Sequence, residues 1–183
     1  MKKNKFKTFI EGKFINFVII DEKFVKNTDW FDWINHCYNT QFMTEGNFPN
    51  TKSHQMKYFK EEILSNKRIQ FGVVSNVNDE LIGIMGLHRI NLTNRDAFLT
   101  TFFNKKDKIP NSLNVFYETH KIMIEHGFKK LNLRRIISTT ISKELDELIC
   151  KVLKFKREGV MKKKFFKNNK YHDLYISSVF KRK

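Results

Sequence analysis

Cysteine is almost missing from these 183 residues. Cys37 and Cys150 lie far apart and form no C-x-x-C pair, which excludes a cysteine-rich zinc module and a disulfide scaffold. No metal is expected. Proline is confined to Pro49 and Pro110, and only seven glycines occur, so no Pro/Gly-rich linker divides the chain. Repeats and low-complexity blocks are also lacking. No apolar run approaches the roughly 18–20 residues that span a bilayer, so no membrane partner is expected. The basic start Met1-Lys2-Lys3-Asn4-Lys5 is not followed by an apolar h-region with a small-residue cleavage site, and a cytoplasmic protein is expected. Arginine is scarce, 7 against 28 lysines, and alanine occurs once, at Ala97.

What is present is enough for one core. Forty per cent of the residues are hydrophobic, 19 of them Phe, which argues against disorder and for one domain over residues 1–183. The net charge is +16, carried mostly by Lys alongside abundant Asn, Phe and Ile, the bias an AT-rich genome imposes. Its distribution says more. Residues 1–100 hold 14 basic and 11 acidic side chains, and residues 101–183 hold 21 and 8. A positive field over the second half favours a phosphate-bearing ligand. The shortage of Arg, the usual reader of base edges, argues against sequence-specific nucleic-acid binding.

The hydrophobic pattern predicts alternating elements. The first is a strand over Lys13–Ile20. A helix follows over Thr28–Met43, with Trp30, Trp33, Ile34 and Cys37 on one face, and then a helix over Lys52–Leu64 with Ser53 as cap and Met56, Phe59, Ile63 and Leu64 inward. Strands Ile69–Val74 and Leu81–Leu87 flank a hairpin turn. Gly72, Gly83 and Gly86 within them suggest close approach of another backbone or a ligand. Strand Ala97–Phe103, a helix over Leu113–Lys129 with Leu113, Phe116, His120, Met123 or Ile124, and Gly127 or Phe128 on one side, strand Arg134–Ile141 and helix Lys143–Leu153 come next. A last strand pair, Phe155–Phe166 and Tyr171–Phe180, is joined by Lys167-Asn168-Asn169-Lys170. This order predicts an α/β fold with a mixed, mostly antiparallel sheet flanked by helices.

One junction has the makings of a site. Strand Ala97–Phe103 enters a loop containing Lys105, Lys106 and Lys108, and a long helix starts at Asn111 or Ser112, either of which could cap it. Unpaired first-turn amides and the helix dipole make an anion site there, suited to a pyrophosphate. An ordinary capped helix with a solvated lysine loop fits the same residues.

Element order and this junction together resemble the GNAT superfamily of acyl-CoA-dependent N-acyltransferases, in the branch of ribosomal-protein and amino-sugar acetyltransferases. Trp33-Ile34-Asn35 with Thr40-Gln41-Phe42-Met43 is similar to that branch's W-x-N-D…T-x-x-M stretch. Phe48-Pro49-Asn50-Thr51 and Gln55-Met56-Lys57-Tyr58-Phe59 resemble its sugar-modifying members. Leu81-Ile82-Gly83, the run from Tyr117-Glu118-Thr119 through Gly127-Phe128 to Leu131–Ile136, Phe155-Lys156-Arg157-Glu158-Gly159 and Tyr171-His172-Asp173 resemble further family segments. The chain departs from the family at the phosphate loop. Ile109-Pro110-Asn111-Ser112-Leu113-Asn114 stands where the family has Q/R-x-x-G-x-G/A. Lys143, Cys150 and Lys154 replace a frequent Asn, Tyr and Gly.

The resemblance implies acetyl-CoA as co-substrate and a small amine as acceptor, an amino-sugar nucleotide first and a protein N-terminus second. Acyl-CoA would lie between strands Ala97–Phe103 and Arg134–Ile141, held by backbone groups at Thr101, Phe102 and Phe103. The amides of Asn111, Ser112, Leu113, Asn114 and Val115 would hold the pyrophosphate. The amine attacks the thioester directly, and a base takes its proton. Candidates are His88 as base and Cys150 as the acid for the departing thiolate. Glu118 would stabilise the helix dipole. Trp33, Asn35, Thr40 and Glu45 are candidate acceptor contacts. A homodimer stays open. A second reading is a catalytically silent GNAT-like fold, or a basic module holding nucleic acid or another polyanion, with aromatics and lysines interleaved at Lys162–Lys167.

Overall fold

The structure, a computed structural model, describes residues 6–41, 43, 46–65, 67–104 and 109–182. β-branched and aromatic runs form the sheet, and the turns between them carry the residues that tolerate left-handed backbone. Asp79 has φ 57° in the turn joining β3 (Arg68–Ser75) to β4 (Leu81–Asn91). Asn168 and Asn169, at φ 51° and 59°, close the hairpin of β7 (Lys156–Lys167) and β8 (Lys170–Phe180), as a two-residue primed turn requires. The remaining strands are β1 (Thr8–Glu11), β2 (Ile15–Ile19), β5 (Asp96–Phe103) and β6 (Arg135–Thr140). Among the described residues these eight form one sheet in the order β1-β2-β3-β4-β5-β6-β8-β7, antiparallel except between β5 and β6. The expected mixed, mostly antiparallel sheet is present. β1 is an addition, a four-residue edge strand too short to show a period in sequence.

Strand alternation gives the sheet two apolar faces. Phe17, Val73, Met85, Leu87 and Ala97 pack under α5 (Ser112–Lys129) and α6 (Lys143–Leu153), meeting Val115, Met123, Ile149 and Leu153. Val18, Ile84 and Phe102 face the opposite way, toward α1 (Glu22–Asn27), α2 (Trp30–Trp33) and the helix of Phe59. The sheet glycines serve this packing. A Cβ on Gly86 would lie 2.3 Å from the Ile69 carbonyl oxygen, and one on Gly72 would meet the Phe24 ring and Val18. The close neighbours are the protein's own atoms.

Several expectations need correction. The predicted helix over Thr28–Met43 is two single turns, α2 and α3 (Cys37–Thr40). Polar side chains between them take up backbone or one another instead of continuing the helix. Asn35 bonds Asp32 Oδ1 and the Asn50 carbonyl, and Asn39 donates to the Trp33 carbonyl. α4 (Lys52–Tyr58), prolonged by a wide turn through Phe59–Ile63, is capped by Thr51 rather than Ser53, its Oγ1 accepting from the His54 N–H at 3.2 Å. Leu64 points outward and is 64% exposed. Glu118 does not serve the dipole of α5. Its carboxylate accepts the N–H groups of Lys13 and Phe14 at 2.7 Å and of Ile15 at 3.2 Å, fastening the β1–β2 turn to the helix.

Candidate active site

β5 and β6 part company. They pair only at Asp96–Arg135, Ala97–Ile136 and Phe98–Ile137. β5 stays bonded to β4 as far as Phe103–Gly83, and β6 to β8 as far as Thr140–Tyr175. Alternate residues of Leu99–Phe103 therefore turn their N–H and C=O groups into an opening that β6 does not fill. The opening belongs to a cavity of about 1280 Å³. Thr100, Thr101, Phe102 and Phe103 form one wall of it, Ser138–Ser142 the facing one, and Met161, Lys164 and Phe165 of the C-terminal hairpin a third.

Two successive threonines of this wall face opposite sides of the sheet, and each meets a histidine. Thr100 shares the face of Phe102, and its Oγ1 lies 2.5 Å from Nδ1 of His88 on β4. Burial, with the positive Arg68 and Arg89 adding to it, pushes the His88 pKa down to about 4, so the ring is neutral at neutral pH. Thr101 faces α5, its Oγ1 3.0 Å from Nε2 of His120. His120, 2% exposed, has its pKa pushed down to about 4 by burial, against the bond to the Phe116 carbonyl, which favours the charged form. That bond, 2.7 Å from Nδ1, fixes the tautomer: Nδ1 carries the proton and Nε2 accepts. Periodicity assigned His120 to the inward face of the helix. Its place on the cavity wall depends on the strand brought beneath it, which periodicity does not contain.

Beyond β5 the chain reaches α5. Asn111 occupies the residue before the helix at φ 53°, ψ 38°, and among the described residues no side chain caps the first turn. Neither Asn111 nor Ser112 makes the cap expected of it. The left-handed backbone is the conformation that glycine or asparagine adopts most readily. Ser112, Leu113 and Asn114 are exposed, Leu113 by 72%, so its side chain points outward and not into the core. The N–H groups of these three have no acceptor within the helix. Val115 differs: it is buried, and its N–H bonds the Asn111 carbonyl at 3.0 Å, so it has no amide to offer a ligand. Lys105, Lys106 and Lys108 lie outside the described residues, as does Glu45.

The other candidates are placed as follows. His88 lines the cavity, and Cys150 is not among the lining residues. The Cys150 Sγ sits 3.5 Å from Ser177 Oγ, beside a buried network in which Asp146 takes Ser177 and Arg157. Trp33 is buried behind the wall, its ring 6.0 Å from that of Phe102. Both polar ends of the Asn35 amide are used in holding the Asn50 loop. Thr40 is buried and bonds the His36 carbonyl at 3.4 Å, while its own carbonyl accepts from Lys167 Nζ. Lys167 also reaches the Met43 carbonyl at 2.6 Å, tying this loop to the C-terminal hairpin. Asn39, which carried no sequence signal, lines the cavity and bonds Asn104 Oδ1 at 3.2 Å. Among the described residues, Arg89, Arg135 and Lys164 bring positive charge to the lining, against one carboxylate, Glu144. Arg89 rests over the Phe98 ring, and Arg135 pairs with Glu158.

No family model matches the chain. It is 24% identical over 157 residues to the probable N-acetyltransferase YjcK of Bacillus subtilis (strain 168), an alignment covering 84% of this chain and 82% of that one. Its fold superposes on the spermidine N-acetyltransferase of Vibrio cholerae in complex with CoA and spermine, with a TM-score of 0.73 and 17% identity over 91% of this chain and 95% of that one. It superposes also on RimL, the ribosomal L7/L12 alpha-N-protein acetyltransferase, in complex with coenzyme A, at a TM-score of 0.79 and 14% identity over 92% and 95%. A GNAT-family acetyltransferase from Bacillus anthracis gives 0.73 and 18% over 94% and 98%. In fold the chain is similar to these acetyltransferases, the GNAT-family protein from Bacillus anthracis among them, and in sequence it is similar to the probable N-acetyltransferase YjcK.

Proposed function

We propose that this protein moves an acetyl group from acetyl-CoA to a primary amine on a small molecule that also carries an anionic group, such as an amino-sugar nucleotide. The observation that carries the reading is the opening between β5 and β6 on the cavity, followed along the chain by a helix start that no described side chain caps. A thioester arm can pair with the free edge of β5 as an added strand would, while the amides of Ser112, Leu113 and Asn114 meet the pyrophosphate. With about 1280 Å³, the cavity exceeds the roughly 300–1,000 Å³ of a typical small-ligand site, which leaves room for donor and acceptor together. The positive lining suits an anionic acceptor better than a polycation. A cytoplasmic setting is part of the reading.

The chemistry asked of the protein is alignment and charge stabilisation. A backbone N–H on the free edge of β5 would bond the thioester oxygen as it becomes an oxyanion. The amine attacks the carbonyl carbon, the C–S bond breaks, and CoA leaves as the thiolate, which takes up the proton that the amine has given up. His88, neutral at neutral pH, is an acceptor beside Thr100 for the proton the amine must lose. Cys150 has no part in this scheme, because its thiol does not line the cavity.

A thiol-release assay with acetyl-CoA and a panel of an amino-sugar nucleotide, spermidine and a short peptide with a free N-terminus tests the proposal. Acetylation of the sugar nucleotide well above the others is expected. Transfer only to spermidine would overturn the acceptor class, and failure to bind CoA at all would overturn the reading in favour of a silent or polyanion-binding protein.

A second prediction concerns the helix start. Asn114→Glu places a carboxylate in the exposed first turn of α5, where it stabilises the helix by a few tenths of a kcal/mol. The same charge repels a bound diphosphate by on the order of 2 kcal/mol. The KM for acetyl-CoA should rise about 30-fold while the melting temperature holds or climbs. An unchanged KM would remove the pyrophosphate from this helix.

A further inference from the structure

Deepening the acetyl-CoA reading, on which it rests, we infer that the Thr101 side chain binds the pantetheine arm of the donor, accepting an amide N–H, and that His120 is the positioning residue that fixes this hydroxyl as an acceptor.

The hydrogen-bond order follows from the carbonyl at its end. The Phe116 carbonyl can only accept, so His120 Nδ1, 2.7 Å away, must carry the ring's proton. Nε2 is then a bare acceptor. Its neighbour at 3.0 Å, Thr101 Oγ1, has a single proton to give. Met85 Sδ, also 3.0 Å from that oxygen, is a far weaker acceptor than an imidazole nitrogen. The proton therefore goes to His120, and the hydroxyl meets any further partner with its lone pairs. Thr101 and His120 both line the cavity, Thr101 half-buried on the stretch of β5 that has lost β6 as a neighbour. A pantetheine chain along that edge carries two secondary amides, each with one N–H.

The arrangement is built rather than incidental. His120 is nine-tenths or more buried, both ring nitrogens have partners, and the Phe116 ring lies 4.1 Å from its own. A histidine serving only as filler would lose nothing by replacement with an apolar ring. This one spends its buried polarity on a threonine that faces the ligand space.

The test compares two ligands by titration calorimetry: CoA, and 3′-phospho-ADP, its nucleotide end without the pantetheine. Thr101→Val keeps the side-chain shape and removes the hydroxyl. It should weaken CoA roughly fivefold, the worth of one neutral hydrogen bond, and leave 3′-phospho-ADP unchanged. Thr101→Ser should retain wild-type affinity for both. His120→Phe, which unlocks the hydroxyl, should weaken CoA by a smaller factor and again spare the nucleotide. The inference is overturned if Thr101→Val binds CoA like the wild type, or if either variant loses both ligands equally, the mark of a purely structural role. Wild-type protein that binds neither ligand would instead sink the acetyl-CoA reading itself, and this inference with it.

Discussion

Replacing Asp146 with alanine is expected to lower the stability of the fold by about 3 kcal/mol, the lower end of what breaking one side of a buried ion pair costs. Asp146 is 2% exposed and sits on α6 facing β7 and β8. Its Oδ2 accepts Arg157 Nε at 2.6 Å and the second guanidinium nitrogen at 2.5 Å, and its Oδ1 accepts the Ser177 hydroxyl at 2.5 Å. The alanine variant leaves a guanidinium and a hydroxyl without their acceptor at the joint between a helix and two strands. Arg157 keeps about a third of its side chain in water and lies over the Tyr175 ring, so rehydration limits the loss to the lower end of the range. At roughly 2–4 °C per kcal/mol for a chain of this size, the melting temperature should fall by roughly 6–12 °C. Adding Arg157→Met should return part of the loss, since no guanidinium is then stranded. A shift below about 2 °C would show that the pair does not hold α6 in place. The joint matters for function because α6 begins at the cavity wall: Ser142 caps it, its Oγ accepting from the Leu145 N–H at 3.1 Å, and Glu144 and Leu145 line the cavity.

Neighbouring residues carried most of what the sequence revealed. α6 runs over Lys143–Leu153 as its pattern predicts, and the Asn168-Asn169 turn is a local matter of backbone angle. The expected opening between β5 and β6 came from the family resemblance, since no residue pattern says where two strands stop pairing. Side-chain ties across long separations were not legible. Glu118 near the start of a helix looks like a dipole partner, yet its three amide donors lie about 100 residues away. Asn35 matches a family motif and proves to be occupied by the Asn50 loop. Lys154 shows the reverse case. The family's glycine at that position marks a backbone requirement, and this chain meets it with a lysine at φ 62°, a conformation that costs a non-glycine residue about 1–2 kcal/mol.

Acid should expose the second large effect. His120 has a pKa of about 4 in the fold, against the usual 6.5 once the chain unfolds. Between those values the unfolded chain binds a proton that the native one refuses, so stability is complete above about pH 6.5 and drains away as the pH falls toward 4. The gap corresponds to roughly 3 kcal/mol for so buried a ring. His88 shifts in the same direction, and its partial exposure reduces its share. Urea titrations at intervals from pH 7 to 4.5 should show this slope in the wild type, and His120→Gln should flatten most of it whatever its stability at pH 7. Carboxylates with lowered pKa, such as Asp173, whose first cause is the Lys163 N–H, lose their contribution only at lower pH and leave this window to the histidines. If the variant keeps the wild-type slope, the buried ring is not the titrating group. Thr101 would then owe its orientation to something other than a neutral imidazole, since protonation turns Nε2 from an acceptor of its hydroxyl into a donor toward it.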